Sequence, residues 1–120
     1  DFCKILDALE KNPSALSAQT VCIAEHNNHP FNSRILSNGL VEFMFENERI
    51  HAHNKQTKPQ TYSFGNLICF RPEALEDHYL GVFAKPSIGV EISWPYNFDV
   101  DNELQLKIAH LLIENDFVKL

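Results

Sequence analysis

A chain of 120 residues is long enough for one domain with its own hydrophobic core, without disulfide or metal staples. Its 44% hydrophobic and 22% charged residues are ordinary for a soluble globular protein, and no apolar run approaches the roughly 18 residues of a membrane helix. A formal charge of −6 repels nucleic-acid phosphates, so direct nucleic-acid binding is not expected.

Phe2, Ile5, Leu6 and Leu9 recur at the i, i+3, i+4, i+7 spacing of an amphipathic helix, and Pro13 stops it. From Ser14 to His26 two readings compete. Val21-Cys22-Ile23-Ala24 suits a buried strand, whereas Leu16, Thr20, Ile23 and Ala24 suit a second helix, which is slightly preferred. His26 to Asn32 is a loop by composition. Val41, Phe43 and Phe45 then alternate with Glu42 and Glu46, the period of a strand with one buried face. A turn at Glu46-Asn47-Glu48 and a return over Arg49 to Asn54 complete an expected hairpin, with His51 and His53 on one face.

Lys55 to Gln60 reads as a polar linker, and Tyr62 to Phe70 as a third strand ended by Arg71-Pro72. Leu80 to Ala84 and Ile88 to Trp94 are two further strand-like runs. Leu104, Ile108, Leu111 and Leu112 form the stripe of a closing helix, with Asp99, Asp101 and Glu103 placed to cap its amides and meet its dipole. Asn115-Asp116 ends that helix, and Phe117 to Leu120 is expected as a short last strand. The elements make a single α+β domain over residues 1–120. Its sheet is mainly antiparallel, of about five strands, with an N-terminal helical region and a C-terminal helix.

The three cysteines, Cys3, Cys22 and Cys69, have no CxxC spacing and apolar neighbours, which predicts buried reduced thiols. On a helix, Cys22 and His26 would be neighbours, but a nucleophilic thiolate needs an electropositive, accessible setting that Val21, Ile23 and Ala24 do not supply. His51-Ala52-His53 on a strand would point both imidazoles to one face and is the candidate metal pair. It has the HxH of the cupin motif without the preceding glycine or the following glutamate, and the competing reading is two histidines on a solvated face. No phosphate loop, GxSxG elbow, HExxH or dinucleotide fingerprint occurs. No catalytic residue and no cofactor is expected.

Between Pro72 and Leu106 the chain places seven carboxylates against one base, Lys85. Glu73, Glu76, Asp77, Glu91, Asp99, Asp101 and Glu103 are interleaved with Tyr79, Phe83, Trp94, Tyr96 and Phe98. Phe83 and Phe98 are also candidates for the core. Unpaired carboxylates steer a basic partner, and Trp and Tyr supply the anchors that dominate interface energetics. Trp94-Pro95 and Tyr96-Asn97 are expected to form the turn presenting them, with a cis bond before the proline.

A small, acidic, reduced chain with this surface resembles, as a class, the immunity proteins that bacteria carry against their own polymorphic or contact-dependent toxins. The resemblance is one of size, charge and architecture and rests on no family motif. It implies a cytoplasmic inhibitor, not an enzyme, that occludes a cognate basic toxin domain, frequently a nuclease, without contacting nucleic acid or membrane. Glu91, Asp99, Asp101 and Glu103 would then imitate phosphates toward the toxin, with Trp94 and Tyr96 as anchors. The alternative is a small metal-binding module or metal-dependent enzyme built on His51 and His53. Because the chain opens on Asp1 rather than Met, a preceding segment is expected, which leaves open a regulatory or scaffold domain of a longer protein.

Overall fold

The computed structural model describes residues 2–52, 58–76 and 79–119. Among them the chain forms three α-helices and five strands of the α+β class, with helices near both ends. It divides into two compact units, one made of Asp1–Cys22 with Phe64–Leu120 and the other of Ile23–Ser63.

In the first unit, helix α1 (Phe2–Lys11) buries Ile5 and Leu9. These pack with Ala15 and Ala18 against Leu67, Cys69, Ile88 and Val90. Strand β1 (Ser17–Ile23) is the middle of a three-stranded sheet, flanked by β4 (Tyr62–Phe70) and β5 (Ser87–Glu91). The expected helix over Ser14 to His26 is therefore a strand. Its position at the centre of the sheet leaves Ser17, Ala18, Thr20 and Cys22 buried, a burden that both faces of a strand carry and one stripe of a helix does not.

β1 and β5 are parallel, with Ser17 opposite Ser87 and Val21 opposite Glu91. β4 runs the other way, because Leu16 meets Arg71 while Thr20 meets Leu67, so the sheet is mixed. The Thr20 hydroxyl accepts the N–H groups of both Asn66 (3.0 Å) and Leu67 (2.9 Å), two amides against one residue as in a bulge. Gly65 follows from this, since a Cβ there would lie 2.5 Å from the Thr20 hydroxyl oxygen and 2.9 Å from Ile92 Cδ1. Arg71 fastens the end of α1 to the sheet, its guanidinium donating to the carbonyls of Leu9 (2.8 Å) and Ala15 (2.9 Å).

The run Leu80 to Ala84 is a 3-10 turn over Gly81–Phe83 rather than a strand, and a second 3-10 segment spans Pro72–Glu76. Helix α3 (Glu103–Glu114) closes the unit. Residues 117–119 form no strand, and Leu120 lies outside the described residues. The cysteine expectation holds in part: Cys22 is buried and Cys69 half-buried, but Cys3 is exposed on α1.

In the second unit, β2 (Arg34–Ser37) and β3 (Leu40–Phe43) form an antiparallel hairpin. Its two-residue loop, Asn38-Gly39, has φ of +52° and +78°, as a primed turn requires. The hairpin expected across Val41 to Asn54 is absent from the described part of that stretch, because Glu46–Ile50 is helix α2. Two glutamates in its first turn and Arg49 in its last suit the helix dipole, and no β-branched run opposes it before Ile50. His29 and Ala52 are buried here. His29 accepts the Phe31 N–H at Nδ1 (3.1 Å) and meets the Pro59 carbonyl through Nε2 (2.8 Å), which fixes the neutral Nε2–H tautomer.

Candidate functional site

The acidic aromatic window is contiguous in sequence but divided in space. The amides of Leu16 and Ser17 donate to the Pro86 carbonyl where β1 begins, whereas the Ile92 amide donates to Val21 where it finishes. Residues 72–86 therefore emerge at one end of the three-stranded sheet and residues 92–102 at the other, separated by about 13 Å of strand. Glu73, Glu76 and Tyr79 belong to the first end and are exposed, Tyr79 to 93%. Asp77 lies outside the described residues. Glu91, Trp94, Tyr96, Asp99, Asp101 and Glu103 belong to the second end, and all are exposed.

The loop after β5 is held by two successive turns, Tyr96 N–H to Ser93 O (2.9 Å) and Phe98 N–H to Pro95 O (3.0 Å). The Trp94–Pro95 peptide is cis, as expected. Asn66 on β4 anchors the turn by donating its side-chain amide to the Tyr96 carbonyl at 2.6 Å. Trp94 stays 59% exposed and Tyr96 39%, while Phe98 is half-buried and lines a cleft of about 290 Å³ with Val100, Leu112 and Ile113. Phe98 thus serves the interior and Trp94 faces outward. The neighbouring Asn97 has a buried side-chain oxygen with no partner among the described residues.

The carboxylates do not cap α3 as expected. Asn102 is the cap: it accepts the Gln105 N–H at 3.0 Å, and Gln105 reaches back to the Asn102 N–H at 3.0 Å and the Asp101 N–H at 2.6 Å. A neutral amide pair can close a capping box, so the acids beside it are released from that duty. Asp99 accepts its neighbour's amide, Val100 N–H, at 2.9 Å. Glu103 pairs with Lys107 at 2.9 Å, an i,i+4 surface bridge with both side chains largely exposed. Glu91, Asp99 and Asp101 form no ion pair among the described residues.

The helix itself is unevenly covered. Leu112 is buried, but Leu104 (68%) and Leu111 (57%) of the expected core stripe are exposed. That exposed apolar shoulder, four and seven residues along one face with Ile108 between, is a feature the sequence reading assigned to the core.

The candidate metal pair loses its setting. His51 sits at the C-terminus of α2 rather than on a strand, so the alternation that would align two imidazoles does not apply. His53 lies outside the described residues. Among the described residues no group of three or more His, Cys, Asp or Glu converges. Cys22 is likewise on β1, so the four-residue helical spacing to His26 has no counterpart.

All the net charge falls in one compact unit. Asp1–Cys22 with Phe64–Leu120 carries twelve carboxylates against six Lys and Arg, whereas Ile23–Ser63 carries four of each. No helix among the described residues is long and apolar enough to cross a membrane. No protein-family model matches the chain, and no curated protein is significantly similar to it.

Proposed function

We propose that this chain is an immunity-type inhibitor, acting in the cytoplasm, that binds a cognate basic toxin domain through the surface from Glu91 to Glu103. The observation that supports the reading is the exposure of Trp94 on an anchored turn next to carboxylates that neither cap α3 nor meet a cation. An indole left in water beside uncompensated negative charge costs free energy in the isolated chain, and a basic partner removes both costs. In this reading the partner is most plausibly a nuclease, whose phosphate-binding cleft the carboxylates fill and block.

The test is capture from the cell of origin followed by kinetics on the captured protein. A basic partner whose activity is inhibited is the expected result. Asp99→Lys with Asp101→Lys should slow association at least tenfold at low salt. Trp94→Ala should raise the off-rate, with a loss of about 2 kcal/mol or more. Binding that survives both changes would remove this surface from consideration, and a partner that is acidic or keeps its activity in the complex would overturn the inhibitor reading.

A further inference from the structure

The unit Ile23–Ser63 gathers its cations. Arg49 Nη1 donates to the Asn32 side-chain oxygen at 2.5 Å and to the Phe31 carbonyl at 3.2 Å. Lys58 Nζ donates to the same Asn32 oxygen at 3.1 Å. Two cations that share one acceptor atom stand within about 6 Å of each other, where like charges repel. Arg34 completes the group: it donates to the Asn32 carbonyl at 2.8 Å, and its guanidinium carbon lies 4.8 Å from the centre of the Phe43 ring. The Arg49 guanidinium occupies the same ring at 4.1 Å.

No carboxylate compensates this cluster. Glu25, Glu42, Glu46 and Glu48 are the acids of the unit, all are exposed, and none is ion-paired with Arg34, Arg49 or Lys58. Residues 53–57, His-Asn-Lys-Gln-Thr, contain no acid. Asn32 and Phe43 make the cluster tolerable, through a neutral acceptor and a ring quadrupole, but neither neutralises it.

Lys58 also borders a cleft of about 280 Å³, which Thr61 lines with a hydroxyl that is buried and has no partner among the described residues. His29 lines the cleft too, but both of its nitrogens are engaged. The arrangement combines a guanidinium fork, an ammonium and a concave wall of mixed polarity, within a unit whose formal charge is zero and so does not repel an anion.

We propose that Lys58 and Arg49, joined on Asn32, together with Arg34, bind a phosphate-type oxyanion, either free or as a phosphomonoester. A planar carboxylate offers two oxygens and satisfies one fork. A tetrahedral dianion offers enough acceptors for all three cations. This site is independent of the Glu91 to Glu103 surface.

The experiment is a titration of the ¹⁵N-labelled chain with inorganic phosphate in a phosphate-free buffer, sodium chloride being withdrawn to hold ionic strength constant. Saturable amide shifts confined to the neighbourhood of Asn32, Arg49 and Lys58 are expected. Lys58→Gln and Arg34→Gln should each weaken binding about tenfold, the loss of one charge-assisted contact. Arg49 also holds the Phe31 carbonyl, so Arg49→Lys is the variant used there. It keeps the charge, removes the fork and should weaken binding while the dispersed spectrum shows the unit still folded. An O-phosphoserine arm separates the sources: tighter binding than inorganic phosphate assigns the site to a phosphomonoester, and equal binding to the free anion. Shifts that chloride reproduces at matched ionic strength, or phosphate binding that Lys58→Gln and Arg34→Gln leave unchanged, would overturn the proposal.

Discussion

Thr20 is fully buried, and its hydroxyl satisfies two consecutive β4 amides that no carbonyl of β1 serves at that point. Thr20→Val keeps the shape and removes the acceptor, leaving the Asn66 and Leu67 N–H groups stranded. Each orphaned group costs about 1–3 kcal/mol, so a loss of roughly 2–4 kcal/mol is expected in urea unfolding, while Thr20→Ser should recover most of it. Gly65→Ala tests the same junction from the other strand. Its Cβ would meet the Thr20 hydroxyl and side-chain carbon at 2.5 and 2.8 Å, both fixed, so about 1–3 kcal/mol should be lost through overpacking. In the Thr20→Ala background, which removes the hydroxyl, the Gly65→Ala penalty should shrink, and an unchanged penalty would assign the strain to Ile92 instead. None of this is legible locally. In sequence Thr20 is one position of an ambiguous apolar segment, and its partners stand 46 and 47 residues away.

Elements were legible where their signals are local and lost where the decision is tertiary. The closing helix is the clearest case, because a capping box and a 3.6-residue stripe are both written within a dozen residues. Even there the roles were misassigned: Asn102 caps, and Leu104 and Leu111 lie outside the core. Asn102→Ala should cost about 1 kcal/mol of stability, and Leu112→Ala about 2–5 kcal/mol. Leu104→Lys, at a site 68% exposed, should change stability by no more than about 0.5 kcal/mol in thermal or denaturant unfolding. A large loss at Leu104 would mean that the helix packs its other shoulder inward. The hairpin failed for a different reason. Alternation over Val41, Phe43 and Phe45 was real as far as Phe43, but Asn38-Gly39, the stronger turn signal, lies before it rather than after. The strand pairs backward with Arg34–Ser37, and Glu46–Ile50, with its carboxylates at the helix start, was free to coil.

At the scale of the molecule, composition reported the charge but not its distribution. A total of −6 describes a chain in which one compact unit holds the whole excess and the other is neutral. The candidate surface was legible as a window of acids and aromatics. Its division between two ends of a sheet was not, because β4 and β5 enter that sheet in opposite directions relative to β1. This distribution makes electrostatic steering site-specific. If a basic partner approaches the Glu91 to Glu103 surface, Asp99→Lys with Asp101→Lys should both slow association and flatten its dependence on salt, because the steering field is removed as well as the contact. Glu42→Lys with Glu46→Lys makes the same change in total charge within Ile23–Ser63. It should leave the association rate within about threefold of the unmodified chain at 150 mM salt, where the screening length is about 8 Å. Stopped-flow rates for both pairs between 50 and 300 mM sodium chloride decide the matter. Equal slowing by the two pairs would mean that the partner senses only net charge, and the surface at Trp94 would then have no claim to be its docking site.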